Sequence, residues 1–316
     1  MKISVVITTY NRLDLLRRAI DSARSQTVSC EVVVADDCSN DGTEEYVRSL
    51  ASEGIVYHRN PTNKGHAETV NAGVAAASGD WIKPLDDDDY LHPECLEEMQ
   101  NAIARRPEAV ICSCQAAQVD ENETELDRTS RVGPGKISYI PQADIHYGML
   151  LEQVPFGTPV QVLFQKDAFM KTGGWDSSLD GNCDDIDSWI KIAQFGDALF
   201  INRCLAYRTV WPGGGNQKIS LKTRLDTNIL MKRRIYERID ASHQNHIPKR
   251  TAIENYLQIH WGFVALKQKN IPVGLQLMLP AAFSGSAWQI FFQRMAAKRG
   301  KQTATEVRKI VLQETQ

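Results

Sequence analysis

The sequence predicts an α/β fold: a mostly parallel central sheet flanked by helices, followed by a helical C-terminal extension. Three observations carry that expectation. From residue 3 to about 118, short β-branched apolar runs alternate with segments whose apolar residues recur at helical spacing. Two of these runs end directly in paired or clustered aspartates, at the strand ends where open α/β sheets bind ligands. Beyond about residue 219 only the helical spacing persists.

Ile3-Ser4-Val5-Val6-Ile7 is nearly unbroken apolar sequence, as expected of a strand buried on both faces. It begins straight after Met1-Lys2, without the apolar core and cleavage site of a signal peptide, so export by that route is not expected. Asn11 can cap the next helix, where Leu15, Leu16, Ala19, Ile20 and Ala23 share one face. Residues 31–35 form a second strand, and Ser39 or Asp41 starts a helix through Glu44, Tyr46 and Val47. Residues 55–57 are a third, shorter strand, 65–77 a helix, and 81–85 a strand that enters four consecutive aspartates. A helix over 93–105 and a strand over 109–114 follow. Residues 119–145 are polar, with Gly133-Pro134-Gly135, and read as a long surface excursion. Residues 159–165 resume as a strand, 166–171 as a short helix, and 184–195 as a helix with an acidic start.

At 316 residues the chain suits one large α/β domain with an appendage, or two domains. With 42% hydrophobic and 24% charged residues, disorder and collagen-like structure are excluded. Lys and Arg total 36 against 39 Asp and Glu, a net charge of -3, which argues against a general nucleic-acid binder held by counterion release. The seven cysteines lack the paired CxxC spacing of a structural zinc site and read as reduced thiols of a cytoplasmic protein.

Four adjacent carboxylates, Asp86-Asp87-Asp88-Asp89, repel one another unless a cation or solvent screens them. A solvated acidic turn is one reading. The position at a strand end, with Asp36-Asp37 at another, favours a metal instead, and hard oxygen ligands select Mg²⁺ or Mn²⁺ carrying a diphosphate. Neither GxGxxG nor GxxxxGK[ST] is present, so a nucleotide must be held differently. Tyr10 could stack on a base, Thr8 and Asp37 could bond its edge, and Arg12 or Lys64 could approach phosphates. His58, His66, His92 and His146 lack ligand spacing and stay outside this chemistry; Trp175 and Trp189 could form an apolar platform for a ligand ring, but large aromatics are more often core, and the core is expected.

These residues resemble the family 2 glycosyltransferases with a GT-A fold. The matching segments are Val5-Val6-Ile7-Thr8-Thr9-Tyr10-Asn11-Arg12, Gln26-Thr27, Asp36-Asp37-Cys38-Ser39-Asn40-Asp41-Gly42-Thr43, Asn63-Lys64-Gly65 with Asn71, Gly79-Asp80-Trp81-Ile82, and Leu85-Asp86-Asp87-Asp88-Asp89 with Pro93. Gly173-Gly174-Trp175-Asp176 and Asp184-Asp185-Ile186-Asp187-Ser188-Trp189-Ile190-Lys191 look like the family's acceptor-side motifs, and the likeness covers residues 2 to about 210. The resemblance implies a nucleotide-sugar half (1–118) and an acceptor half (119–215) of one catalytic domain, with 216–316 as the helical extension. It implies that Asp37 contacts the base beside Thr8 and Tyr10. It also implies that Asp86-Asp87-Asp88 is the DxD signature, with Asp88 and Asp86 holding Mn²⁺ or Mg²⁺, and that Asp185 is the general base for an inverting transfer. On spacing alone, Asp185 reads as a helix cap. Asp184 stands where Glu is common, Lys191 where Arg is common, and Val210 where the family's Tyr-Arg-x-His segment has its histidine.

The implied partners are a nucleotide-sugar donor, with a UDP-sugar as the default, and a glycan or lipid-linked acceptor. A non-catalytic carbohydrate-binding or scaffolding protein of the same fold is the alternative. Residues 270–293 carry no charge, and Lys267, Lys269, Arg294, Lys298, Arg299 and Lys301 flank them. Prolines and glycines interrupt the run, so a membrane span is not expected. Two readings stay open: amphipathic helices packed on the catalytic domain, or peripheral membrane contact through 270–301 at the inner face of the membrane.

Overall fold

A computed structural model describes residues 1–211, 219–298 and 307–313. The N-terminal part of the chain opens with β1 (Ile3–Thr9), α1 (Leu13–Arg24), β2 (Glu31–Asp36), α2 (Thr43–Ser49), β3 (Val56–Arg59), α3 (His66–Ala76) and β4 (Trp81–Asp86). It continues with β5 (Tyr90–Leu91), α4 (Cys95–Arg105) and β6 (Ala109–Val119). All seven residues of β1 are buried, and β1 pairs in parallel with β2 and β4. Successive side chains serve two cores. Ile3, Val5 and Ile7 pack with α1 and α4 on one face, while Val6 packs with Ala67, Val70 and Val74 of α3 on the other. Gly73 permits that second contact, since a Cβ there would lie 2.5 Å from Val6 Cγ1.

The middle of the chain contains β7 (Glu125–Arg128), β8 (Ile137–Ile140), α5 (Gln142–Leu150), β9 (Val162–Gln165), α6 (Lys166–Lys171), α7 (Asp184–Ile192) and β10 (Asp197–Thr209). The sheet order is β8-β10-β6-β9-β4-β1-β2-β3, with β9 antiparallel between two strands that run the other way. Lys83 of β4 is wholly buried and donates to the carbonyls of Val160, Val162 (3.1 Å) and Pro159 (3.5 Å), fastening the segment before β9 to the sheet.

The structure corrects several expectations. Residues 119–145 are not a plain surface excursion: β7 pairs with β6, β8 pairs with β10, and Ile137, Ser138 and Ile140 are buried. Asn11 does not cap α1; its side chain accepts from the Asn40 amide, and Asp41 receives the Leu13 amide at 2.9 Å. Residues 159–161 form a 3-10 turn before β9, and α7 ends at Ile192.

The C-terminal region is helical through α8 (Leu221–Tyr236), α9 (Arg250–Lys267), α10 (Ile271–Met278) and α11 (Gly285–Lys298), then returns as β11 (Ile310–Val311) to pair with β8. α10 and α11 pack on α9 around a separate cluster that includes Leu225, Tyr256, Leu257 and Leu277. Among the described residues no helix is long and apolar enough to cross a membrane. The boundary expected at 215/216, and Arg299 and Lys301, lie outside the described residues.

Candidate active site

Parallel register brings the expected donor-side residues to one edge of the sheet: Thr8 lies opposite Asp86, and Thr9 opposite Asp36. A cavity of about 480 Å³ opens there, walled by Thr8, Tyr10, Arg12, Asp37, Asp86, Asp87 and Asp88, and also by Asn63, Gly65, His66 and Gly181. Thr8 Oγ1 donates to Asp86 at 3.2 Å and Thr9 Oγ1 to Asp87 at 2.9 Å, so β1 orients the first two carboxylates of the run. Arg12 reaches Asp87 (3.2 Å) and Asp88 (3.0 Å), and Trp211 Nε1 donates to Asp88 Oδ2 at 3.0 Å. Asp89 turns inward, is buried, and accepts the Thr209 amide at 2.9 Å. It is a structural residue of the turn.

Asp37 is 4% exposed and binds the loop before α3. It accepts from Asn60 Nδ2 (2.8 Å), the Lys64 amide (2.8 Å) and the Gly65 amide (2.9 Å). Lys64 therefore contributes its backbone there, and its neighbours Asn63 and Gly65 wall the cavity. Tyr10 stands at the rim, 46% exposed.

The two halves interlock at the start of α3. Asp180 accepts from the Ala67 amide (2.9 Å) and the His66 amide (3.2 Å), capping a helix from a distant segment. Gly65, at φ +90°, makes room, since a Cβ would lie 2.3 Å from Asp180 Oδ2. His66 Nε2 sits 2.9 Å from Asp86 Oδ1, and its Nδ1 lies 3.7 Å from Asp184 Oδ2. The edge of Trp175 packs on its ring, with centroids 5.4 Å apart. His66, set outside the chemistry on sequence grounds, thus bridges a carboxylate at the end of β4 and one at the start of α7. The usable signal was its place directly after Asn63-Lys64-Gly65. Trp211, two residues past Thr209, was missed too.

Asp185 occupies the first turn of α7, half-buried beside Asp184, with its Oδ1 accepting the Ile186 amide at 2.7 Å. Asp187, two residues on in the same first turn, is wholly buried and tied to Lys191 and to Arg234 of α8. Trp175 and Trp189 are core residues, as expected.

The electrostatics follow from crowding acids in a partly closed space. Burial, with the charge of Asp184 beside it, pushes Asp185 up to about 7. Burial and Asp88 push Asp87 up to about 7 despite Arg12, and burial and Asp86 raise Asp88. Burial disfavours the charged forms of His66 and Asp86, yet their contact prevails: His66 is held well above its usual range and Asp86 below its own.

Hard carboxylate oxygens suit Mg²⁺ or Mn²⁺, and Asp86 and Asp88 present theirs to the cavity where their mutual repulsion invites a cation. His66, Asp180 and Asp184 also bring one donor atom each within 4.8 Å. Both Asp180 oxygens are engaged in capping α3, so the Asp86 and Asp88 pair is the better fit.

The sequence profile described as "Glycosyl transferase family 2" matches residues 4–173. An uncharacterized glycosyltransferase of Haemophilus influenzae is 30% identical over 195 residues, 61% of this chain and 62% of that protein. The succinoglycan biosynthesis protein ExoO of Rhizobium meliloti is 40% identical over 98 residues, 31% of this chain and 28% of ExoO. The chain thus spans less than two thirds of these relatives' lengths. In fold it is similar to residues 1–349 of S. aureus TarS in complex with UDP-GlcNAc (TM-score 0.60, 13% identity, 99% of this chain and 97% of that one). It is also similar to the mannosyltransferase PcManGT of Pyrobaculum calidifontis in complex with GDP-Man and Mn²⁺ (TM-score 0.57, 18% identity, 94% and 80%).

Proposed function

Because this chain belongs to glycosyl transferase family 2, we propose that it is an inverting, metal-dependent glycosyltransferase. It moves a sugar from a nucleotide-sugar donor to a hydroxyl of a glycan or lipid-linked acceptor, in polysaccharide or glycoconjugate biosynthesis. A UDP-sugar is the default donor. The seven cysteines, all free, suit a reducing cytoplasm.

The observation that carries this reading is the cavity at the ends of β1 and β4, where Thr8, Tyr10, Arg12 and Asp37 meet Asp86, Asp87 and Asp88. Tyr10 stacks on the base at the rim, and Thr8 and Asp37 line its edge. Arg12 and Lys64 approach the phosphates; Lys64, whose backbone is already engaged, would do so through its side chain. Asp88 and Asp86 would hold Mn²⁺ or Mg²⁺, which would supply Lewis-acid stabilisation of the leaving diphosphate. Asp87, bonded to Thr9 and Arg12, keeps Arg12 at the mouth of the cavity. Asp185 takes the proton from the acceptor hydroxyl, and a carboxyl poised near 7 is well matched to that task.

A thermal-shift panel of nucleotide sugars, with and without Mn²⁺, tests the reading. Stabilisation by at least one nucleotide sugar only when Mn²⁺ is present is the expected result. Indifference to every nucleotide and to the metal would refute it.

A further inference from the structure

We propose that the exposed apolar ridge of α10 and α11 docks on an anionic lipid surface. Ile271 and Leu275 share a side of α10, and Leu279 and Phe283 continue the exposed apolar run through the 3-10 turn that follows it. Their exposures are 59%, 52%, 64% and 99%. Phe292 of α11 adds an aromatic side chain at 61%. The opposite side of the same helices, through Leu277, Ala281 and Ala287, is buried on α9 and α8. The helices are therefore already folded against the protein and still leave this ridge outward. A protein that needed these residues only for packing would not leave Phe283 wholly in water.

Charge names the occupant. Between Glu254 and Glu306 the sequence has no acidic residue, while it carries Lys267, Lys269, Arg294, Lys298, Arg299 and Lys301, in a chain whose net charge is -3. Lys267 and Lys269 are exposed and immediately precede the ridge. An apolar ridge with aromatic side chains and a basic flank matches a helix lying in the headgroup region of an anionic bilayer. A second copy of the chain meeting the ridge face to face would set like charges together with no acid from this segment to offset them. The ridge is anchored to the catalytic part: Arg294 donates to the Leu150 carbonyl at 3.0 Å and pairs with Glu152, and Asn182 of the acceptor loop donates to Thr227 of α8 at 2.6 Å. A bilayer bound there would hold the acceptor side of the cavity in a fixed relation to the membrane.

The test is sedimentation of the full chain with vesicles of 30% phosphatidylglycerol in phosphatidylcholine, against vesicles of phosphatidylcholine alone. The full chain is expected to bind the anionic vesicles at 0.1 M salt, to bind the neutral ones at least about tenfold more weakly, and to lose affinity at 0.5 M salt. The double variant Leu279→Ser/Phe283→Ser is expected to lose vesicle binding at an unchanged melting temperature, because both side chains are already solvent-facing. Lys267→Glu/Lys269→Glu is expected to weaken it. Failure of the full chain to sediment with anionic vesicles, or undiminished binding by the Leu279→Ser/Phe283→Ser variant, would overturn the proposal. So would light scattering that shows a dimer of the full chain and a monomer of that variant, which would assign the ridge to a second copy.

Discussion

Replacing Asp185 by asparagine separates acceptor activation from donor binding. The asparagine side chain is isosteric, and its amide oxygen can still accept the Ile186 amide that Asp185 Oδ1 accepts at 2.7 Å, so the first turn of α7 is preserved. What disappears is the group that receives a proton. Loss of a positioned base costs about 10²- to 10⁴-fold in kcat. The pH dependence gives a second, independent magnitude. With Asp185 at about 7, raised by burial and Asp184, roughly a tenth of the chains carry the carboxylate at pH 6 and about nine-tenths at pH 8. The base acts only when ionised, so transfer at saturating donor is expected to rise about tenfold between those values. Asp184→Asn removes part of the repulsion and should move this limb to lower pH. Initial rates from a coupled assay of released nucleoside diphosphate, across pH 5.5 to 8.5, read all three effects. Wild-type turnover by Asp185→Asn, or a flat profile through pH 7, would refute the assignment.

The donor side, the interlock and the buried lysine give three further expectations. Asp88→Ala is expected to abolish transfer and Mn²⁺-dependent nucleotide binding in calorimetry while leaving the melting temperature near that of the wild type; retained metal-dependent binding would contradict it. Asp180→Ala removes the carboxylate that accepts the His66 and Ala67 amides and should destabilise the fold by about 0.5–2 kcal/mol. It should also raise the acceptor KM more than the donor KM, and equal changes in both would count against the interlock. Lys83→Met keeps the apolar bulk but orphans the carbonyls of Val160 and Val162, a cost of about 1–3 kcal/mol readable in urea melts. An unchanged urea midpoint would mean those carbonyls find other partners.

The N-terminal part, residues 3–118, was legible because its signals are local. A run such as Ile3-Ser4-Val5-Val6-Ile7 declares a buried parallel strand by itself, and Asp36-Asp37 and Asp86-Asp87 stand where such strands end. The part that follows, residues 119–210, depends on pairings between distant segments. β8 is four residues beside a Gly-Pro-Gly turn, and nothing in Ile137-Ser138-Tyr139-Ile140 announces that β10 and β11 will flank it. The cap of α1 comes from Asp41 rather than from adjacent Asn11, and that of α3 from Asp180, so neither follows from spacing along one segment. His66 was passed over for the same reason: its partners Asp86 and Asp184 lie on a strand and a helix that only the fold brings together. Asp187 likewise meets Arg234 from the C-terminal helices.

The most direct measurement is anomalous diffraction at the manganese absorption edge from crystals grown with UDP and Mn²⁺. One anomalous peak is expected within coordination distance of Asp88 and Asp86, beside the diphosphate oxygens. A diphosphate bound without a peak there, or a peak displaced to another part of the molecule, would contradict it.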